Sequence, residues 1–200
     1  MKFPLPLVEG TLIKRYKRFL ADVELTNGDV VTAHCANSGS MLGLKEPGMK
    51  VWLSPTPPDS KAKLKYRWEL IEFNDAWVGI HTSHPNQIAF EAIESGKIPE
   101  LAGYEAMKRE VKYGKNSRID IFLTSENKPD CYVEVKNVHL KRDDFVEFPD
   151  AVTSRGTKHL LTLIDAIKKG YKSYLLFLRA SAPYLQGVAV VESGPKGKSS

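Results

Sequence analysis

The chain has 200 residues and is 42% hydrophobic, enough for one large domain or two small domains with buried cores, which argues against long disordered segments. Its formal net charge of +5 suits a polyanionic partner without requiring one. No stretch approaches the roughly 18 apolar residues of a membrane span, and the N-terminus lacks the apolar core of a secretory signal, so we expect a soluble, cytoplasmic protein without membrane contact.

The first part of the chain, from Leu7 to His81, is a series of short β segments. Asn27-Gly28 lies between two of these segments and favours a hairpin turn, because both central positions of such a turn need positive φ. The number of strands predicts a small closed or nearly closed barrel. The expected strands are residues 19–25, 30–34, 50–54, 63–73 and 76–80.

Near Thr82 the pattern changes to alternating helix and strand, and we place a domain boundary there. Pro85 suits the first turn of a helix that Gly96 ends, and Ser154 caps a helix that Gly170 ends. We expect a short helix at 99–107 and strands at 109–113, 117–123, 131–138 and 173–179. This order predicts an α/β domain with a central mixed sheet. The predicted organisation is a barrel at 1–82, an α/β domain at 83–192 and a disordered tail at 193–200.

Two neighbouring strands carry the residues that best suit catalysis. Glu134 and Lys136 lie on one face of their strand, about 6.6 Å apart. Asp120 lies on the preceding strand, facing away from the row Ile119, Ile121 and Leu123, and a hairpin would set it beside Glu134. Because paired carboxylates repel each other, a hard divalent cation such as Mg²⁺ or Mn²⁺ would stabilise them. A lysine on the same face can hold a water and stabilise charge on a phosphate, as phosphodiester hydrolysis requires.

A structural Glu–Lys pair explains the Glu-x-Lys pattern equally well when that pattern stands alone. The order of helix, strand with Asp, strand with Glu-x-Lys and helix resembles the PD-(D/E)XK nuclease superfamily. Longer strings resemble the sugar fermentation stimulation protein A family, over roughly residues 5 to 180. These strings are HCANSGSM (34–41), KYGKNSRID (112–120), CYVEVKNV (131–138) and FPDAVTSRGTKHL (148–160).

The resemblance implies an N-terminal OB-like barrel and a PD-(D/E)XK nuclease-like α/β domain, in a family regarded as DNA-binding and linked to regulation of maltose metabolism. It also implies that Asp120 and Glu134 are metal ligands and that Lys136 is the catalytic lysine. The acid that the superfamily places on its first core helix would be Glu91, with Glu110 as a second choice. Beyond Arg179 the sequence departs from the family pattern, which continues with a longer segment.

Several basic and polar residues would serve binding to nucleic acid. Three of the four groups also have a purely structural explanation: a solvated barrel face, a charged turn between strands, and a polar loop. For the basic residues after Ser154, the N-terminal end of a helix is a plausible phosphate anchor. The candidates are Lys61, Lys63, Lys65 and Arg67 on one strand face, Lys14, Arg15, Lys17 and Arg18, the loop residues Asn37, Ser38 and Ser40, and Arg155, Lys158 and His159.

The histidines and cysteines are weaker candidates for a functional site than the residues above. Cys35 and Cys131 form no CxxC pair, so we expect any metal to be held by oxygen ligands. His34 and Cys35 are adjacent, and their side chains would diverge in a strand, which argues against a Cys–His nucleophile. His81 and His84 could bind a metal, but a solvated linker explains them better.

The sequence therefore predicts non-specific DNA binding, and metal-dependent phosphodiester cleavage at Asp120, Glu134 and Lys136 is the leading hypothesis. A DNA-binding regulator of sugar metabolism that keeps the fold without turnover is the alternative. A small-molecule hydrolase that uses the same cation is a third option. Oligomeric state cannot be read from the sequence.

Overall fold

A computed structural model describes residues 1–114, 117–138, 140–142, 145–147, 154–179, 181–182 and 188–193. Two compact units divide the chain, one built mainly from residues 1–84 and the other mainly from residues 85–138 and 142–179. Among the described residues, none of the helices has the length and apolar character needed to cross a membrane. Each unit has a hydrophobic core of its own.

The first unit is a closed five-stranded barrel, as predicted. Its strands pair in the order β1-β2-β3-β5-β4, and β4 pairs with β1 to close the barrel. The core includes Val23, Leu53 and the fully buried Trp68. The strands are β1 (Val8–Tyr16), β2 (Leu20–Leu25), β3 (Val30–Cys35), β4 (Lys50–Pro55), β5 (Tyr66–Phe73) and β6 (Ala76–Gly79). Beyond the barrel, β6 pairs with β5.

The hairpin between β2 and β3 is present, but its turn differs from the expected one. Gly28 has a φ of 87°, whereas Asn27 is not among the residues with positive φ. Asn27 instead donates a side-chain hydrogen bond to Asp29 Oδ2 at 2.7 Å and accepts one from the Asp29 N–H at 3.1 Å. The connection between β2 and β3 is longer than the expected two-residue turn and needs only one residue in the left-handed conformation, which is Gly28.

The strand expected at 63–73 begins only at Tyr66, so the alternating lysines before it lie in a loop. The partner strand β4 ends at Pro55, and the Thr56 N–H still donates to the Lys65 carbonyl at 2.7 Å. Pro57 and Pro58 follow and have no N–H to continue the ladder. Alternation at residues 61–65 therefore does not produce a strand.

The second unit is a mixed five-stranded sheet in the order β14-β12-β9-β8-β7, in which β9 and β12 are parallel and the other neighbours antiparallel. Its helices are α1 (His84–Glu94) and α2 (Ser154–Lys168). The sheet strands are β7 (Ala106–Tyr113), β8 (Ser117–Ser125), β9 (Lys128–Val138), β12 (Lys172–Arg179) and β14 (Val188–Ser193). The remaining short strands are β10 (Leu140–Arg142), β11 (Phe145–Glu147) and β13 (Ser181–Ala182), which pairs with β6.

The two helices pack against separate apolar clusters. Ala89 and Ile93 of α1 lie with Ile121, Leu123 and Val133. Leu163 and Ala166 of α2 lie with Tyr132 and Ile119. Ile119, Ile121 and Leu123 are all buried, as expected, but Ile119 belongs to the cluster around α2 whereas Ile121 and Leu123 belong to the cluster around α1.

The short helix expected at 99–107 is limited to a single 3-10 turn, Pro99–Leu101. Gly103 has a φ of 76°, and β7 begins at Ala106 because Ala106 pairs with Thr124. Sheet pairing therefore replaces the predicted helix. The expected disordered tail lies outside the described residues, apart from Ser193, which ends β14.

Candidate active site and nucleic-acid surface

Asp120 lies where β8 and β9 part. In the described residues the pairing of β8 with β9 runs from Ser125 and Lys128 to Ile121 and Val133. One residue further, the Asp120 side chain replaces the backbone ladder: its Oδ2 accepts the N–H of Val135 at 2.8 Å. Its Oδ1 accepts Asn86 Nδ2, from the first turn of α1, at 2.8 Å. Two neighbouring elements therefore fix the direction of this carboxylate.

Glu134, Lys136 and His159 form a contact group beside it. Glu134 is 2% exposed although it is ionisable. Lys136 Nζ donates to Glu134 Oε1, and His159 Nδ1 contacts the same oxygen. Lys136 Nζ also lies 3.0 Å from His159 Nδ1. The pattern of alternation along β9 thus places Glu134 and Lys136 together, as expected, while His159 joins them from α2.

The electrostatics of this group depend on burial. Burial raises the pKa of Glu134 above its usual value, and the negative charge of Asp120 raises that pKa further. The charges of Lys136 and His159 act in the opposite direction. The charged form of Glu134 is thus destabilised by burial and by the negative charge of Asp120, and an added cation would stabilise it. Two carboxylates are a donor set that fits a hard divalent ion.

The helix residue that reaches Asp120 is Asn86 rather than an acid. Glu91 accepts a hydrogen bond from Gln87 Nε2 at 2.6 Å. Glu91 lies five positions after Asn86, which places the two residues about 140° apart around α1. Glu91 as a third ligand therefore stays a prediction. Glu110 has a φ of 52° within β7 and is exposed.

Sequence reasoning missed the position of Asn86 and assigned His159 to phosphate binding alone. The spacing of Asn86 and His159 from apolar residues of their helices could have indicated where each side chain lies. Asn86 lies three residues before the buried Ala89, and His159 lies four residues before the buried Leu163. Residues three or four apart share a face of a helix. Each polar residue therefore lies on the apolar face that packs against the sheet.

The barrel carries a shallow cavity of about 210 Å³ with a basic and partly aromatic lining. Arg67 is exposed on β5, and Lys63 lies in the loop before it. His34 stacks with Phe19, with ring centroids 6.5 Å apart, and Phe19 is 47% exposed. The sequence predicted the cations here but missed the ring pair. The cavity is lined by His34, Thr56, Ala62, Lys63, Leu64, Tyr66 and Arg67. Lys61 and Lys65 are also exposed.

The polar loop that contains residues 37–40 is partly structural. Arg15 donates to the carbonyls of Asn37 and Gly39 at 2.7 and 3.1 Å. Asn37 is buried, and its side chain donates to the Ile80 carbonyl at 2.9 Å and accepts the Gly39 N–H at 2.8 Å. Arg15 Nη2 and the Asn37 side chain are thus engaged in shaping the loop. Ser38 and Ser40 are exposed.

The remaining basic candidates differ in their surroundings. Lys14 forms an ion pair with Asp22 at 3.5 Å. Lys17 and Arg18 are exposed in the turn between β1 and β2, with φ of 48° and 64°. Lys158 is exposed in the second turn of α2. Arg155 lies in the first turn, and its side chain lies outside the described part of the chain.

Two family models match this chain. The model described as "Sugar fermentation stimulation protein RE domain" matches residues 83–186. The model described as "SfsA N-terminal OB domain" matches residues 13–80. Together they cover the barrel and most of the α/β unit.

Curated relatives extend the similarity over most of the chain. The sugar fermentation stimulation protein homolog of Paramagnetospirillum magneticum is 57% identical over 178 residues, which are 89% of this chain and 75% of the relative. The homolog of Rhodospirillum rubrum is 57% identical over 190 residues, covering 89% of this chain and 77% of the relative. The solved structure of Pyrococcus furiosus SfsA in complex with Ca²⁺ superimposes with a TM-score of 0.79 at 25% identity, covering 90% of this chain and 75% of that one.

Proposed function

Because this chain belongs to the sugar fermentation stimulation protein family, we propose that it binds DNA with little sequence preference and cleaves phosphodiester bonds with Mg²⁺ or Mn²⁺. The observation that supports the proposal is that Glu134 and Lys136 are in contact on β9, while the N–H of Val135 between them holds the Asp120 carboxylate of the neighbouring strand. Two acids and a lysine on adjacent strands are the groups that metal-dependent phosphodiester hydrolysis uses.

Asp120 and Glu134 would hold the cation. The relative solved with Ca²⁺ supports this choice of ion, since Ca²⁺ and Mg²⁺ both prefer oxygen ligands. The bound cation would polarise the phosphate and favour ionisation of a water molecule. Asn86 and the Val135 N–H hold Asp120 in position for this role.

Lys136 would orient the attacking water and stabilise charge that develops on the phosphate. Its ammonium group already lies against Glu134 and within 3.0 Å of His159 Nδ1. His159 would position both groups from α2, because its ring contacts Glu134 and Lys136 at once. The exposed cations and the Phe19–His34 ring pair of the barrel would contribute contacts to phosphates and bases.

The test is a nicking assay with supercoiled and single-stranded DNA in Mg²⁺ or Mn²⁺. We expect Glu134→Gln and Lys136→Met to lose at least 100-fold in cleavage rate while DNA binding persists, since each change removes a group that acts on the reacting atoms. Glu94→Gln and Lys97→Met, which alter exposed residues of the same unit, are the matched controls. Equal nicking by wild type and by the two site variants would exclude the nuclease proposal.

A DNA-binding regulator without turnover is the second candidate. The observation in its favour is that Glu134 already contacts Lys136 and His159, so its charge is partly neutralised without a cation. This candidate predicts wild-type DNA binding that is indifferent to Mg²⁺ and to Glu134→Gln, with no nicking by any variant. The same assay therefore separates the two candidates.

A further inference from the structure

A second cluster of potential metal ligands lies within the barrel unit, at the end of β6. One ligand atom each from Glu69, His81 and His84 lies within 4.8 Å of the other two. His84 Nε2 is 3.5 Å from Glu69 Oε2. The cluster uses none of the residues assigned to the nuclease site, and two of its three ligands are imidazoles. We propose that Glu69, His81 and His84 bind a borderline divalent transition ion of the Zn²⁺ class.

Glu69 is the strongest evidence for an ion. Its side chain is 2% exposed, and its Oε1 accepts the Ser54 hydroxyl at 2.5 Å. Its Oε2 is buried and has no hydrogen-bond partner in the described structure. A buried carboxylate oxygen without a hydrogen bond is costly, because an imidazole nitrogen 3.5 Å away does not replace the water that the oxygen has lost. A cation between Oε2 and the imidazole nitrogens would satisfy it.

The segment from His81 to His84, which leads into α1, is held by hydrogen bonds that do not involve the rings' binding atoms. The Thr82 N–H and hydroxyl both donate to the Ala36 carbonyl, at 3.2 and 2.9 Å. The His84 N–H donates to the His81 carbonyl at 3.2 Å, which sets the two histidines one turn apart. Ligands on a backbone that is already fixed lose less conformational entropy when an ion binds.

The contacts of the rings leave the required nitrogens available. The Ser83 N–H donates to His81 Nδ1 at 3.3 Å, and the Ser83 hydroxyl lies 2.9 Å from the same nitrogen. Nε2 is therefore the nitrogen of His81 that can face the ion, and it releases its proton when the ion binds. The Ser54 hydroxyl orients the Glu69 carboxylate in the way that outer contacts orient metal ligands. The two rings stack with centroids 4.1 Å apart and planes 8° from parallel. A shared ion would tilt them so that both nitrogens point to it.

The ligand set and its spacing select the class of ion. Four-coordinate Zn²⁺ with bonds of 2.0–2.1 Å separates its ligand atoms by about 3.3 Å. The Glu69–His84 distance of 3.5 Å is already close to that value. Imidazole nitrogen favours Zn²⁺, Co²⁺, Ni²⁺ or Cu²⁺ over Mg²⁺. The nearby charge of Arg67 opposes a cation, but Arg67 is exposed and its field is screened by water.

The test is a calorimetric titration of the tag-free, chelator-treated protein with Zn²⁺ in the presence of excess Mg²⁺, with Co²⁺ absorption as the spectroscopic readout. We expect one Zn²⁺ site of micromolar or tighter affinity that depends on the cluster, and a visible Co²⁺ band typical of four-coordination. Because zinc could also contact Glu134 and His159, the titration is repeated in Glu134→Gln, where the site must persist.

Single variants identify the ligands. His81→Asn and His84→Asn should each weaken Zn²⁺ at least tenfold and abolish the Co²⁺ band, while Ser54→Ala should weaken Zn²⁺ about 10- to 100-fold. Glu24→Gln, which alters an exposed acid of the same unit, is the control and should bind Zn²⁺ as wild type does. If a histidine variant fails to fold by circular dichroism, Glu69→Gln keeps the hydrogen bond from Ser54 and removes a ligand. The proposal is overturned if wild type binds no zinc in this range, or if the folded variants bind it unchanged.

Discussion

Asp120 is oriented by two hydrogen bonds that come from different elements. Asn86 Nδ2 binds Oδ1 and the Val135 N–H binds Oδ2, each at 2.8 Å. Such outer contacts decide how precisely a ligand is aimed at an ion, although they never touch it. The affinity for a divalent cation should therefore depend on Asn86 as well as on the acids.

We expect Asn86→Ala to weaken Mn²⁺ binding about 10- to 100-fold, because Asp120 loses one of the contacts that fix its carboxylate. The measurement is the rise in melting temperature with Mn²⁺ concentration, since an ion that binds only the folded state stabilises it by mass action. Asn127→Ala, at an exposed turn of the same unit, is the control. A wild-type Mn²⁺ response in Asn86→Ala would show that Asp120 needs no such support.

At the scale of elements, the barrel depends on close contact between β1 and β2. A Cβ atom on Gly10 would lie 2.5 Å from Val23 Cγ1 and 2.8 Å from the Glu24 carbonyl oxygen. The carbonyl belongs to the paired strand and cannot move without breaking the ladder. Glycine is required here by the closeness of the two backbones.

Gly10→Ala should lower the free energy of unfolding by roughly 1–3 kcal/mol, because the added methyl group overpacks the strand pair. Urea denaturation followed by fluorescence of the barrel tryptophans measures the change. Thr11→Ala, at the exposed neighbour, should change it by less than about 1 kcal/mol. Equal urea midpoints for the two variants would mean that the barrel relaxes around the methyl group.

The elements that local chemistry specifies were predicted well from the sequence. The α2 helix begins at Ser154 and ends two residues before Gly170, whose φ is 89°. The strands with Asp120 and Glu134 also follow from alternation. The predictions failed where strand pairing decides the structure. Residues 61–65 have no ladder after Pro57, and residues 106–107, expected in a helix, belong to β7. Alternation cannot reveal whether a partner strand is present.

Contacts between distant residues were the least predictable part of the site. Glu134 and Lys136 are two residues apart and could be placed together from the strand alone. The approach of His159 depends on how α2 packs, and Asn86 reaches Asp120 across 34 positions of sequence. Glu69, His81 and His84 likewise meet only because the barrel brings β5 to the loop after β6. From the sequence alone, the two histidines were interpreted as part of a solvated linker.

At the scale of the whole molecule, the net charge of +5 and the exposed cations before β5 favour a polyanionic partner. Phosphate contacts release counterions, so binding to DNA should weaken steeply as salt rises. Each phosphate contact that is lost lowers the steepness of that dependence by about 1.

The double variant Lys63→Ala, Lys65→Ala should therefore reduce the slope of log affinity against log salt by about 2. Fluorescence anisotropy with a short duplex at several salt concentrations measures the slope. The matched control is the double variant Lys97→Ala, Lys108→Ala, which alters exposed positions of the other unit. An unchanged slope in the first variant would place the DNA contacts on another surface.

The hydrogen bond from the Val135 amide to Asp120 also has a practical consequence. That amide proton senses the electron density of a carboxylate oxygen rather than of a backbone carbonyl. Its nuclear magnetic resonance frequency should shift when Asp120 gains a proton or shares its charge with an ion. A single backbone signal can thus follow events at this carboxylate while every side chain remains native.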